Sequence, residues 1–235
     1  ETVEANIGMI CVGTDQRSSR QAVEFAANHE FTWAAIGVHP HDTKDGWGDV
    51  KTLLENKTEN SPIVAIGEIG LDYYYNNSPR ETQIEGLEAQ LQMAIDYDLP
   101  VSFHVRDGAK DRPSVWSDFW PIFDNFHGLR GVLHSFTDTR DNLEKGFSRN
   151  LYVGLNGIST FTKDQLQKEL FASIPLERLL LETDAPFLTP APFRGNINKP
   201  EYVKLVAEYW AKQRNIDFDV LSQATLHNTK ELFGI

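Results

Sequence analysis

A single cysteine, Cys11, stands among 235 residues. No disulfide can therefore form within the chain, and a reducing, cytoplasmic setting is expected. Cys11 sits in the apolar run 7–13 and is expected to be a buried core thiol. No apolar stretch approaches the ~18 residues that a membrane-crossing helix needs, and no signal-peptide pattern is visible. Positive charge is scarce, with 22 Lys and Arg against 34 Asp and Glu and a net charge of −12. That balance argues against a broad basic face for gripping duplex nucleic acid, though not against a nucleic-acid enzyme whose local field comes from bound metal ions. Fixed-period repeats and low-complexity stretches are absent, which removes solenoids and arrays. No glycine-rich phosphate loop follows the first apolar run, which counts against an open doubly wound sheet.

What is present is an alternation. Short apolar runs at 7–13, 33–38, 63–68, 100–105, 131–136, 151–155 and 179–184 read as strands. Helical segments are expected at 16–28, 50–60, 81–97, 114–126, 141–149, 163–172, 201–213 and 217–233. In the segment 81–97, Ile84, Leu87, Leu91, Ala94 and Ile95 fall at helical spacing. Strands alternating with helices imply parallel pairing through helical crossovers. Seven strands are one short of a closed (β/α)₈ barrel of ~250 residues. The expected fold is therefore α/β, a single TIM-type barrel domain over 1–235, with its first strand lying outside a chain that opens at Glu1 and not at Met.

In such a barrel the reactive groups gather where the strands end at their C-terminal side. His39, Glu68, His104, His134, Asn156 and Asp184 all fall there. Imidazoles suit zinc, carboxylates suit magnesium or manganese, and a carboxylate can bridge a metal pair. A bound metal brings the pKa of its water toward ~7, and a pair ~3.5–4 Å apart can hold a nucleophile and a leaving oxygen together. Each residue also has a plain reading: a strand histidine as hydrogen-bonded core, Glu68 as a partner of Arg106, Asp184 as a turn residue, His39 as part of a loop. Equivalent positions on successive strands favour the shared explanation. Arg194, in the Pro-rich loop after the last strand, has the fork geometry for phosphate, with a solvated loop arginine as the alternative. Arg106 is placed to orient a carboxylate or meet substrate. Glu182 lies on the same strand face as Asp184 and suits a supporting role behind a ligand. The run Tyr73-Tyr74-Tyr75 offers rings for unpaired bases, although such runs more often pack beneath a loop.

Gly37-Val38-His39-Pro40, Gly67-Glu68-Ile69-Gly70-Leu71-Asp72-Tyr73, His104-Val105-Arg106-Asp107, His134-Ser135-Phe136-Thr137 and Glu182-Thr183-Asp184-Ala185-Pro186-Phe187-Leu188, closed by Arg194-Gly195 and Asn198-Lys199-Pro200, resemble the TatD family end to end. That family comprises metal-dependent deoxyribonucleases of the amidohydrolase superfamily with a TIM-barrel fold. The resemblance implies that Glu68 bridges two divalent metals (Mg²⁺, Mn²⁺ or Zn²⁺), that His104 and His134 ligate one, and that Asp184 ligates the other. It implies catalytic roles for Glu68 and Asp184, and substrate contacts for Arg194, Arg106 and His39. Many members open with His-x-His on the first strand; none precedes Val38 here, and His39-Pro40-His41 matches the later motif. The chain is then either a fragment or a member with a degenerate first site, holding two metals or one.

The expected activity is hydrolysis of DNA phosphodiesters, as an exonuclease on single strands or frayed ends, by a monomer with no membrane partner. Two rivals remain: a barrel amidohydrolase acting on a small ester or amide, and a metal-depleted inactive scaffold. No strand end carries a lysine of the kind many barrel amidohydrolases carboxylate, which disfavours that branch.

Overall fold

The structure, a computed structural model, describes residues 7–75, 77–109 and 113–235. Its chain contacts divide into two compact units, one of Gly8–Gly131 and the other containing Val132–Ile235.

In the first unit four strands pair in parallel and in chain order: β1 (Met9–Val12), β2 (Thr32–Ile36), β3 (Ile63–Asp72) and β4 (Val101–Arg106). Their crossovers carry α1 (Gln16–Ala27), α2 (Gly48–Glu55) and α3 (Arg80–Asp96), and α4 (Trp116–Asp124) follows β4. Helix α1 starts where Asp15 accepts the Ser18 N–H at 2.6 Å while the Ser18 hydroxyl accepts the Asp15 N–H at 2.9 Å, a reciprocal cap that fixes the turn out of β1. The interior of β3 is enclosed on both faces, with Ala65, Ile66, Ile69 and Leu71 inaccessible. Helix α3 covers the sheet with Leu87, Leu91 and Ala94, and also with two buried glutamines. The Gln90 amide accepts the Val38 N–H at 2.7 Å and donates to the Val38 carbonyl at 3.1 Å. Gln83 does the same for Asp72, at 2.8 and 3.0 Å. Both amides satisfy backbone groups where a strand leaves its ladder, which makes their burial affordable. Behind β4, Phe103 packs edge to face on Phe119, with ring centres 5.4 Å apart.

The second unit holds three parallel strands: β5 (Gly131–Leu133), which begins at the boundary, β6 (Tyr152–Leu155) and β7 (Leu179–Leu181). Around them lie α5 (Arg140–Ser148), α6 (Ile158–Phe161), α7 (Gln165–Ser173), α8 (Val203–Arg214) and α9 (Phe218–Phe233). Asn228 of α9 donates to the carbonyls of Leu176 and Leu179 at 2.7 and 2.9 Å, fixing the entry to β7. Trp210 of α8 donates from its indole to the Ser159 hydroxyl on α6 at 2.8 Å.

All the expected strands are found, with instructive differences at their ends. Strand β3 does not stop at Glu68 but continues to Asp72, so Glu68 sits inside a strand. Strands β5 and β7 are shorter than expected, ending at Leu133 and Leu181, and beyond them Ser135 and Asp184 adopt left-handed backbone at φ 48° and 60°. Helix α2 ends at Glu55 instead of running to 60, and α6 was not foreseen. Cys11 is only half-buried, since β1 has β2 as its single strand neighbour among the described residues. No helix of the described residues is long and apolar enough to cross a membrane.

Candidate functional site

The ladder between β3 and β4 runs Ile66 opposite Val101 and then Ile69 opposite Phe103, three residues against two. The extra residue falls at Gly67-Glu68 and forms a bulge, a device that re-aims a side chain out of the regular pleat. Gly70, at φ +154°, has no room for a side chain: a Cβ there would lie 1.7 Å from the His104 carbonyl oxygen. Glycine alone permits the close strand approach beside which Glu68 and His104 meet.

They meet tightly. Glu68 Oε1 lies 2.7 Å from His104 Nδ1 and 3.7 Å from His39 Nε2. The other ring nitrogen of His104 is 2.9 Å from Asp72 Oδ2, and His41 Nε2 is 3.1 Å from that same oxygen. Asp72 is inaccessible to solvent, and its second oxygen accepts the backbone N–H groups of Tyr74 and Tyr75 at 2.9 and 3.0 Å. Burial alone would raise the Asp72 carboxyl, but hydrogen bonds from His104 and the Tyr75 N–H, with two imidazoles close by, hold it well below the usual carboxylate range. Burial likewise works against a proton on His104, yet the carboxylates of Asp72 and Glu68 on either side raise its pKa above the ordinary imidazole value. His39 goes the other way: burial first, and then the neighbouring His104, depress it to about 3, so it is neutral at neutral pH. Its Nδ1 accepts the His41 N–H at 3.1 Å, which puts the proton of the neutral ring on Nε2, the nitrogen facing Glu68.

In the second unit a similar arrangement recurs. His134 Nδ1 lies 2.7 Å from Glu182 Oε2, and its Nε2 lies 3.2 Å from Asp184 Oδ1. Glu182 is held by the Ser135 N–H, which donates to its other oxygen at 2.5 Å. Gly154 leaves that carboxylate its space, since a Cβ there would come within 2.5 Å of it. Asn156 is buried and donates to the Ser135 hydroxyl at 2.7 Å. Two non-glycine residues, Ser135 and Asp184, hold left-handed backbone within this one cluster, a kind of strain that concentrates at functional sites. Arg194 donates to the Thr189 carbonyl at 3.0 Å, with its guanidinium 3.7 Å from the Phe161 ring centre.

Of the residues named from sequence, Glu68, His104 and His39 come together in one unit, and His134, Glu182 and Asp184 in the other. Arg106 does not pair with Glu68; its guanidinium lies over the rings of Tyr74 and Tyr75. Asp72 and His41 were missed. With β3 taken to end at Glu68, Asp72 fell outside the strand; even spacing from Glu68 along one continuous strand would have flagged it. His41 had only its place beside His39 to mark it.

The donor set of the first unit fits a divalent cation. One ligand atom each from His39, Glu68 and His104 lies within 4.8 Å of the others. Nitrogen and carboxylate oxygen together suit zinc, manganese or iron. Each of His104 and His134 is held between two carboxylates, one of them tied to backbone N–H groups, so one side orients the ring and the other can ligate with it. Asp72 and Glu182 are the tied members.

A family model described as TatD related DNase matches residues 3–234. The chain belongs to the TatD-related DNase family. It is 35% identical over 227 residues to YabD of Bacillus subtilis, described as an uncharacterized metal-dependent hydrolase, covering 97% of this chain and 87% of that protein. It is also 35% identical over 234 residues to the 3'-5' ssDNA/RNA exonuclease TatD of Escherichia coli, covering 97% and 88%. Among solved structures, the TatD homolog YJJV of Escherichia coli superposes with a TM-score of 0.86 at 28% identity, over 97% of this chain and 86% of that one. The α/β fold of TIM-barrel type expected from the sequence is borne out by that likeness. Membership of a family of metal-dependent hydrolases agrees with the His and carboxylate groups described above.

Proposed function

We propose that this TatD-family chain hydrolyses phosphodiester bonds of DNA, removing nucleotides from single strands or frayed ends in the cytoplasm as a monomer, with the whole chain acting as one catalytic domain. The observation that carries the reading is the repeated unit of an imidazole between two carboxylates, at Glu68–His104–Asp72 and at Asp184–His134–Glu182. The naming of a similar Escherichia coli protein as an ssDNA/RNA exonuclease supports the substrate class.

Glu68, His104, His134 and Asp184 are the proposed ligands of divalent cations, two as in the family or one. When bound, such cations acidify water and offset charge on a phosphate oxygen. His39 is assigned to substrate, in place of the third ligand position that its distance from Glu68 and His104 would also allow. Its Nδ1 accepts a backbone N–H, so Nε2 keeps its proton and donates to a phosphate oxygen. Asp184, held on one side by His134, takes a proton from the attacking water. Arg194 directs its remaining N–H groups at phosphate, giving this acidic chain a local cation where the substrate is held. Asp72 and Glu182 fix the rings of His104 and His134 and do not touch substrate.

Glu68→Ala and His134→Ala are expected to abolish hydrolysis of single-stranded DNA in Mg²⁺ or Mn²⁺. Full activity in both variants overturns the assignment. A panel of small esters run in parallel separates it from an amidohydrolase-type activity.

A further inference from the structure

The loop leaving β3 splits its three tyrosines. Tyr73 turns inward and donates its hydroxyl to Asp118 at 2.5 Å. Tyr74 and Tyr75 turn outward and leave 55% and 53% of their surfaces in solvent. Their rings meet edge to face, centres 4.8 Å apart at 78°. Arg106, exposed at the end of β4, holds its guanidinium 4.4 Å from the Tyr74 ring centre and 4.9 Å from that of Tyr75. Two aromatic rings and a planar cation are thus assembled in water, where shedding apolar surface would favour burying them.

The assembly is fixed in place and lies next to the candidate site. The backbone N–H groups of Tyr74 and Tyr75 both bond to the buried Asp72 carboxylate, whose other oxygen holds His104. The Tyr75 ring lies 5.4 Å from the His41 ring, and His41 lies 4.3 Å from the ring of His39. A strand whose phosphate reaches His39 and Glu68 therefore has its neighbouring sugar and base within reach of these rings.

We propose that Tyr74, Tyr75 and Arg106 form a stacking platform for an unpaired nucleobase next to the phosphodiester held at Glu68 and His104. The proposal rests on the phosphodiester reading above. Phenol rings and a guanidinium plane are what splayed bases stack on, and every base has a π-face, so the platform discriminates single strand from duplex and not one sequence from another. It also supplies grip that does not depend on counterion release, which suits a chain of net charge −12.

The test is equilibrium binding, by fluorescence anisotropy with Ca²⁺ in place of the catalytic metal, of an oligothymidylate octamer and an abasic octamer of the same length. The wild-type chain is expected to bind the base-bearing strand more tightly by about 5-fold to 150-fold. Tyr74→Ala/Tyr75→Ala should lose that preference while its affinity for the abasic strand stays unchanged, and Tyr74→Phe/Tyr75→Phe should keep it. No preference in the wild type, a preference surviving in the alanine pair, or equal weakening toward both strands overturns the platform. Cleavage of the octamer in Mn²⁺, measured separately, distinguishes the two claims. Discrimination without cleavage refutes the nuclease reading and leaves the platform standing; cleavage without discrimination refutes the platform alone.

Discussion

Replacing Tyr73 with Phe removes one oxygen and leaves a ring that is 8% exposed. The lost hydroxyl donates to Asp118 at 2.5 Å, and Arg80 grips the same carboxylate through Nε at 2.9 Å and Nη2 at 2.6 Å. A hydrogen bond to a charged acceptor contributes ~1.5–3 kcal/mol. The lower part of that range applies, because Asp118 keeps both Arg80 bonds and is not left bare. Arg80 is half exposed, so its own pairing with Asp118 adds little to what the tyrosine loses. With no cavity opened, the expected loss is about 1.5–2 kcal/mol, read as a shift in urea midpoint at unchanged slope. The pH dependence has a definite sign. Burial, and then the bond to Asp118, push the Tyr73 phenol above its ordinary value. Its contribution is therefore full below the unfolded value near ~10 and fades as pH rises through the folded one. Burial opposes ionisation of Asp118, but the bonds from Arg80 and Tyr73 prevail and hold its pKa down. That contribution is present above the unfolded value near ~4 and is lost as pH falls through the folded one. The difference between wild type and Tyr73→Phe should be level from about pH 5 to 9 and shrink in acid. A loss below about 0.5 kcal/mol at pH 7, where a bond to a charged group should count fully, or a loss that grows on acidification, refutes the reasoning.

Gly70→Ala should disrupt the β3–β4 approach, because its Cβ would fall 1.7 Å from the His104 carbonyl oxygen at a backbone φ of +154°. Thermal unfolding should show a loss of at least about 3 kcal/mol or no folded protein, and a near-wild-type transition would contradict the geometry. Glu182→Gln keeps the size of the side chain but weakens its hold on His134 and the Ser135 N–H. Metal affinity, titrated directly, should fall about 10- to 100-fold with the far-ultraviolet circular dichroism unchanged; equal affinity would remove Glu182 from its supporting role.

Much of the fold was legible because burial on both faces leaves an apolar run that polar residues interrupt only at its ends. The same rule misled at Glu68. A bulge places a glycine and a carboxylate inside β3, and composition alone cannot separate that from a strand terminus. Asp72 was hidden by the error, and with it the carboxylate that orients His104. Gln83 and Gln90 stand outside the apolar spacing of α3, yet they are buried because each completes the backbone bonds of a strand end. The three tyrosines could not be sorted by spacing either. What draws Tyr73 inward is Asp118, a partner 45 residues away, and what leaves Tyr75 outside is a backbone bond to Asp72.

The candidate ligands were easier to find than the residues that make them usable. A glutamate or histidine at a strand end announces itself by being costly there. Its supporting partner announces itself only where spacing ties it to a ligand, as Glu182 is tied to Asp184; a partner whose cost is met by backbone groups alone cannot be placed from sequence. Asp72 shows the asymmetry most plainly. It is inaccessible to solvent, keeps its charge through two N–H donors and two imidazoles, and presents no oxygen outward. Such a carboxylate contributes to chemistry only through the ring it orients. Because it also pins Tyr74 and Tyr75, the side chain that aims His104 is the one that fixes the proposed platform. Moving Asp72 would displace both at once, which is why the platform is tested at the rings themselves.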